Sequence, residues 1–165
     1  MDTPQRSMNW PERLVARFFV TRFGAWLGLY VLPGIDRRLL YLSRGRFSMS
    51  PGQPILLLIT TGAKSGRRRS TPLLYFWRGD QIVVVASNGG QPHHPAWYYN
   101  LRAHPEATIF VGGRAGTYVA HEASGEERSA LWSHAAAYYL GFNVYEQRVA
   151  RKIPVMVLTP RHQGT

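Results

Sequence analysis

The hydrophobic pattern divides the chain into a helical first part and a longer part made of short strands. Between residues 10 and 32, apolar side chains recur at intervals of three and four with arginines between them, which predicts a basic, aromatic-rich amphipathic helix. Pro33-Gly34 should end this helix, and a short helix or irregular segment should follow over 36–48. The apolar positions are Leu14, Val15, Phe18, Phe19, Phe23, Trp26, Leu27, Tyr30 and Val31, and the intervening arginines are Arg13, Arg17 and Arg22.

From residue 52 onward, short apolar runs alternate with tight turns, which is typical of strands. Ser124-Gly-Glu-Glu127 has the pattern of a capping box and predicts a helix that continues to about residue 140. The predicted strands cover 54–60, 70–77, 81–86, 107–111, 115–123 and 154–159, and two further short helices cover 95–103 and 144–151.

Short connections between consecutive strands favour antiparallel pairing. We therefore predict an α+β, mainly β fold: a small closed or split β-barrel of about six strands, with covering helices and the N-terminal amphipathic helix. A chain of 165 residues suits one such domain. Within it, we expect a helical extension over 1–48 and the barrel over 49–165.

The charge balance narrows the expected partners. The chain has 20 basic and 9 acidic residues, a formal net charge of +11, and nearly all of the cations are arginines. This balance favours anionic partners such as phosphorylated cofactors, acidic lipid or nucleic acid, although a solvated basic surface would look the same. The helix over 10–32 would either lie on an anionic membrane surface or cover one end of the core.

Several classes of function lack their sequence signals. There are no cysteines, so disulfides and thiolate chemistry are excluded, and the six histidines follow no metal-binding spacing. No Gly-x-Ser-x-Gly elbow is present, which disfavours hydrolysis. No signal peptide is recognised, and the longest charge-free run, 23–35, is too short to span a bilayer. We expect a cytoplasmic protein that contacts the inner face of the membrane, if at all, peripherally.

Two segments carry the candidate chemistry. The first is a turn of small residues with Lys64, Arg67, Arg68 and Arg69, placed between apolar runs over 55–59 and 73–77. Four cations in one turn repel one another, so an anionic ligand would stabilise them. The second is the Gly/Pro loop over 87–95, which leads into an aromatic helix start and suits the close approach of a planar ligand. Together they predict a site for a planar, anionic cofactor.

These segments resemble a known family. Three segments of the chain are similar to the deazaflavin-dependent nitroreductase family of actinobacteria. They are Thr-Gly-Ala-Lys-Ser-Gly-x-x-Arg-x-x-Pro-Leu over 61–73, Ala-Ser-Asn-Gly-Gly over 86–90 and Pro-Ala-Trp-Tyr-Tyr-Asn-Leu over 95–101. Members of that family are split β-barrel proteins that bind coenzyme F420, an 8-hydroxy-5-deazaflavin. The resemblance covers roughly 52–160, including Arg-Lys-Ile-Pro over 151–154 before the last strand.

The resemblance implies three groups of site residues. The phosphate, glutamate tail and one ring edge of the coenzyme would contact Ala63, Lys64, Ser65, Arg69, Ser70, Thr71, Pro72, Leu73 and Leu74. The deazaflavin ring would be lined by Val85, Ala86, Ser87, Asn88, Ala96, Trp97, Tyr98, Tyr99 and Asn100. Phe142 would also contact the coenzyme, and it falls where nitroimidazole-activating relatives carry a tyrosine, so bulky nitroimidazoles should react weakly. A proton donor would be Tyr145 or Tyr139, although both tyrosines would also suit core packing.

This resemblance implies an oxidoreductase that transfers hydride from reduced coenzyme F420 to a small electron-poor acceptor, such as a quinone, enone or nitro compound. A non-catalytic basic module that binds nucleic acid or anionic lipid is the alternative, and a flavin mononucleotide enzyme of the same barrel type is a third reading. Of these partners, a small-molecule acceptor is expected and nucleic acid is not. The sequence leaves the oligomeric state open.

Overall fold

A computed structural model describes residues 32–48, 52–139 and 141–161. The predicted helix over 10–32 lies almost wholly outside these residues. The described residues from Arg37 onward belong to one compact unit. The predicted division into 1–48 and 49–165 stays a prediction.

The core of the fold is a closed antiparallel barrel of six strands in the order β1-β2-β3-β6-β5-β4. The predicted fold class is therefore confirmed. The strands are β1 (Ile55–Thr61), β2 (Arg68–Arg78), β3 (Gln81–Val85), β4 (Glu106–Val111), β5 (Arg114–Glu122) and β6 (Val155–Pro160). The helices are α1 (Leu32–Leu42), α2 (Ala96–Ala103), α3 (Gly125–Tyr138) and α4 (Gly141–Arg148), with a 3₁₀ turn over Asn88–Gly90.

The barrel interior is filled from alternate strand positions, as the period of two requires. Leu56, Leu58, Ile82 and Val84 are inside and almost fully buried. Helix α2 adds Trp97, Tyr98 and Leu101 to the same core. The helix that carries part of the predicted site is therefore fixed to the barrel by its own apolar side chains.

The outer barrel wall is covered by helices. Leu40 of α1 packs on Leu57 and Ile59, which are the outward positions of β1. Helix α3 covers the outward side of β3 and β6, where Val83, Val155 and Val157 are buried, and α4 packs on Val85 of β3. None of the described helices is long and apolar enough to span a membrane.

Strand β2 begins two residues earlier than predicted. The Gly62 N–H donates to the Arg67 carbonyl at 2.9 Å, and Thr61 pairs with Arg68, so the turn is only six residues long. Gly66 closes this turn with a φ of +64°, a conformation that glycine adopts without steric cost. As a result Arg68 and Arg69 are strand residues, and successive strand residues point to opposite faces.

The prediction that Pro33-Gly34 ends a helix is wrong, because both residues lie in the first turn of α1, where proline is tolerated. Two other boundaries differ from the predictions. Helix α4 begins three residues before residue 144 and ends at Arg148, which leaves Arg151 in the connection to β6. Helix α3 begins at Gly125 beside the predicted cap, but Ser124 makes no side-chain capping bond. Glu127 instead accepts a hydrogen bond from Arg78 at 2.6 Å, since a guanidinium is a stronger partner than a backbone amide.

Candidate active site

The cationic turn is tied to α2 by one buried amide. Asn100 accepts a hydrogen bond from the Ala63 N–H at 3.0 Å and donates another to the Thr60 hydroxyl at 3.0 Å. Asn100 and Thr60 are both buried, so these bonds replace water that neither side chain can reach. Asn100 therefore holds the cationic turn next to α2.

Between the turn and α2 lies a cavity of about 1060 Å³. Ten of the predicted coenzyme-binding residues line it, so the sequence motifs from two distant segments do meet in space. These residues are Ala63, Lys64, Ser65, Arg69, Ser70, Thr71, Ala96, Trp97, Tyr99 and Asn100.

The lining of the cavity combines cations with aromatic side chains. Five cations line it: Arg37, Lys64, Arg68, Arg69 and Arg102. None of the five forms an ion pair within the described residues. The aromatic side chains are provided by α2. Such a cavity suits a ligand with a negatively charged part and a planar part.

Three cationic members of this lining were not among the predicted site residues. Arg102 follows Tyr99 by three positions on α2, so helical spacing was a usable signal for it. Arg68 belongs to the cationic turn, and the earlier start of β2 brings it to the cavity. Arg37 lies far away in sequence, on α1, and no motif in the sequence signals it.

The predicted loop after β3 lies beside α2 but not on the large cavity. Ala86 is fully buried in the barrel core and Ser87 is nearly so. Asn88 has a φ of +52° and donates from its amide to the His93 carbonyl at 3.1 Å. The guanidinium of Arg151 donates to the carbonyls of this loop, including that of Ser87 at 2.8 Å.

Tyr98, Leu73 and Pro72 were also predicted to bind the coenzyme, but they do not line the large cavity. Tyr98 is buried in the core, and its hydroxyl donates to Glu122 at 2.8 Å. Burial and this bond raise the pKa of Tyr98 above its ordinary value. Leu73 packs against the barrel core, and Pro72 pairs with Leu57 of β1. The pairing of β2 with β3 begins only at Tyr75, so the missing N–H of Pro72 falls next to an unpaired edge.

The remaining predicted residues gather on the outer wall under α3 and α4. Phe142 is 7% exposed and packs with Val85 and Ile153, and its ring meets that of Tyr139 edge-on at 5.1 Å. Leu74 faces the same small space. The ring of Tyr145 lies against the backbone of Gly90, where a β-carbon would be 3.1 Å from it.

The two tyrosines proposed as proton donors are adjacent. Their hydroxyl oxygens are 3.5 Å apart. The neighbouring hydroxyl of Tyr145, together with burial, raises the pKa of Tyr139. Tyr139 therefore keeps its proton at neutral pH, and a proton can pass between the two oxygens after a small adjustment.

The described residues contain no group of three or more His, Asp or Glu side chains that could hold a metal ion. The polar groups of the large cavity are instead cations, hydroxyls and amides. The arrangement can neutralise and orient an anionic molecule.

The fold and the site define a small protein with a closed six-stranded barrel and a cationic, partly aromatic cavity between the barrel and a short helix. Residues 43–160 match the family model described as F420H(2)-dependent quinone reductase. The chain therefore belongs to that family.

Individual proteins agree with the family match. The F420H(2)-dependent quinone reductase Rv1261c of Mycobacterium tuberculosis strain H37Rv is 40% identical over 115 residues, covering 67% of this chain and 77% of that protein. A solved F420-H2 dependent reductase, FDR-A, is 39% identical with a TM-score of 0.59, covering 64% of this chain and 93% of that one. A solved domain-swapped dimer is 33% identical with a TM-score of 0.62, covering 76% and 96%. The predicted family resemblance, oxidoreductase class and coenzyme are confirmed.

Proposed function

We propose that the chain binds reduced coenzyme F420 in the cavity between the cationic turn and α2, and transfers hydride to a quinone. The observation that carries this proposal is a cavity lined by five cations, none of them ion-paired within the described residues, together with the aromatic side chains of α2. Enones and nitro compounds are further acceptors of the same electron-poor type.

The residues fit the coenzyme by charge and by size. The cavity volume is at the upper end of the range usual for small-molecule sites, about 300–1,000 Å³, which leaves room for a long ligand. Lys64 and Arg69 would hold the phosphate and glutamate carboxylates through charge-assisted hydrogen bonds. Tyr99 is 46% exposed and offers a ring face to a planar group.

The protein contributes mainly alignment and exclusion of water. A deazaflavin, with carbon in place of the flavin N5, supplies hydride when it is bound. Trp97 and Asn100 are buried, and Asn100 is hydrogen-bonded to Thr60, so the wall that they form is anchored to the barrel. Alignment of the two reactants in such a site can account for a large part of the rate.

The binding assignment is tested by titrating the protein with coenzyme F420, flavin mononucleotide and a DNA duplex in parallel. We expect coenzyme F420 to bind best, and Arg69→Ala and Lys64→Ala each to weaken its binding by about 1.5–3 kcal/mol. Arg114→Ala is the matched control, because this exposed arginine lines a different cavity, near the β4–β5 turn. Unchanged affinity in both turn variants would reject the assignment, and preferential DNA binding would favour the basic-module alternative.

The proton that accompanies hydride transfer is assigned to Tyr145, with Tyr139 beside it. We expect Tyr145→Phe to lower quinone turnover roughly 10²-fold or more, the usual scale for loss of a general acid. The affinity for coenzyme F420 should stay nearly unchanged, because the phenylalanine ring can still pack on Gly90. Steady-state rates and a fluorescence titration of the same variant measure both effects. Full turnover in Tyr145→Phe would leave Tyr145 with a packing role and Tyr139 as the remaining candidate.

Peripheral contact with an anionic membrane is part of the proposal. It is supported by the alternation of aromatic and arginine positions over residues 10–32 and by the net charge of +11. Contact of this kind would bring the site near lipid-soluble quinones.

A further inference from the structure

Arg151 makes an unusual set of hydrogen bonds in the connection between α4 and β6. Its Nη2 donates to the Ser87 carbonyl at 2.8 Å, and its Nε donates to the Gln91 carbonyl at 3.1 Å. Its Nη1 lies 2.9 Å from Nδ1 of His94 and 3.4 Å from the Ala86 carbonyl. All these acceptors belong to one segment, residues 86–94, which is called the β3–α2 loop below.

The charge of Arg151 is not neutralised by a carboxylate within the described residues. The arginine ion pairs found there involve Arg78, Arg128 and Arg161. Arg151 is half-buried, and burial lowers its pKa, but a guanidinium stays protonated in proteins. Placing such a charge against carbonyl oxygens costs desolvation, which the hydrogen bonds offset only while the loop keeps its shape.

The loop has an irregular backbone, and contacts from outside the loop help to fix its shape. Asn88, Gly89 and Gly90 have successive φ values of +52°, +61° and +75°. Asparagine and glycine tolerate this left-handed backbone, but three such residues in succession belong to no regular helix or strand. Arg151 supplies these contacts on one side of the loop, and the Tyr145 ring packs on Gly90.

The same arginine links the loop to the cavity wall through His94. The His94 ring lies 4.7 Å from the ring of Tyr98 and 5.9 Å from that of Tyr99. Burial and the Arg151 charge both lower the pKa of His94, so the imidazole is neutral and its Nδ1 accepts from the guanidinium. Tyr99 lines the large cavity. Arg151 thus connects the two sequence segments predicted to line the deazaflavin ring.

We propose that Arg151 is a positioning residue for the coenzyme: its planar fork fixes the β3–α2 loop against α2 and so shapes the wall on which the deazaflavin would rest. The proposal rests on the proposed function for the identity of the ligand. The holding of the loop itself is a property of the protein without coenzyme. A lysine cannot replace this arginine, since its donors all lie on one nitrogen and cannot reach acceptors spread along the loop.

The test uses the full chain with Arg151→Ala, Arg151→Lys and the control Lys152→Ala, which removes an exposed neighbouring cation. Two measurements are made: the Kd for coenzyme F420 by fluorescence, and amide hydrogen exchange without coenzyme. We expect Arg151→Ala to raise the Kd about 10-fold or more, from the loss of hydrogen bonds that each correspond to a several-fold change. Exchange should accelerate in residues 86–94, while the barrel strands remain protected.

We expect Arg151→Lys to behave like Arg151→Ala in exchange, and Lys152→Ala to match the wild type in both measurements. Wild-type exchange in Arg151→Ala, or full recovery of both readouts in Arg151→Lys, would overturn the proposal. If Arg151→Ala does not fold, the amide hydrogen exchange of residues 86–94 in Arg151→Lys tests the proposal instead. Failure of the wild type to bind coenzyme F420 would count against the proposed function, and the exchange data would still decide whether Arg151 holds the loop.

Discussion

Asn100 illustrates how one residue can hold the two parts of a site together. Its amide oxygen accepts from the Ala63 N–H and its amide nitrogen donates to the Thr60 hydroxyl, both at 3.0 Å. The motif resemblance had placed Asn100 against the deazaflavin ring. Although Asn100 lines the cavity, its hydrogen bonds point to a second role, which is to fix the cationic turn at the right distance from α2.

We expect Asn100→Ala to lower the free energy of unfolding by about 1–3 kcal/mol, because a buried hydroxyl and a backbone N–H would both lose their partner. The affinity for coenzyme F420 should fall as well, since the turn is no longer tied to α2. Urea unfolding and the fluorescence titration measure the two effects. Thr60→Val is the control, because it removes only the hydroxyl and keeps the bond to Ala63. Stability equal to the wild type in Asn100→Ala would contradict this account.

At the scale of elements, one carboxylate joins α3 to the β2–β3 hairpin. Glu127 in the first turn of α3 accepts hydrogen bonds from Arg78 of β2 at 2.6 Å and lies 3.2 Å from His121 of β5. Arg78 is the main cause of a lowered pKa for Glu127, and His121 adds to it. An anion in the first turn is also favoured by the helix dipole.

This pair predicts a pH-dependent difference between the wild type and Glu127→Gln. The pKa of Glu127 is lower in the folded state than its usual 4.5, so the ionised form stabilises the fold above that pH. The difference in free energy of unfolding should be about 0.2–1 kcal/mol at pH 7, as for exposed ion pairs, and should vanish as the pH falls through the lowered pKa. Denaturant unfolding at pH 7 and below pH 4 measures it. A difference that persists in acid would show that charge is not its source.

The sequence predicted which strands are present more accurately than it predicted where they begin and end. Short apolar runs between turn residues predicted all six strands, and the runs of β1, β3 and β6 are continuous because both of their faces are buried. The start of β2 was predicted two residues late, because the cations of Arg68 and Arg69 resemble a solvated turn. What makes them strand residues is the pairing of Thr61 with Arg68, and pairing with a distant residue leaves no local signal.

At the scale of the whole molecule, the large cavity was predictable only in part. Its two motif segments were recognised, and the closed barrel brings them together. The contribution of Arg37 was not recognised, because α1 approaches the turn only through the packing of Leu40 on β1. The role of Arg151 depends on backbone carbonyls, which are the same at every position of a sequence.

The net charge of +11 makes membrane contact testable on the full chain. We expect the full chain to sediment with anionic vesicles, and a variant that lacks residues 1–31 to sediment less while still binding coenzyme F420. The physical reason is that each basic residue near an anionic surface contributes about 1 kcal/mol. Neutral vesicles are the control. Loss of folding or of coenzyme binding in the shortened protein would instead assign that segment to the core.

The strand order has a consequence for the synthesis of the protein. Strand β6 lies between β3 and β5, so the barrel cannot close on a growing chain until residues 155–160 have been made. Before then, β3 and β5 each present an unpaired edge, to which a strand of another nascent chain can add. Arg151 is made only a few residues before β6, so the β3–α2 loop remains unsupported until the barrel closes. If the coenzyme binds at the proposed site, it would therefore be held in its final geometry only after these last residues have been made.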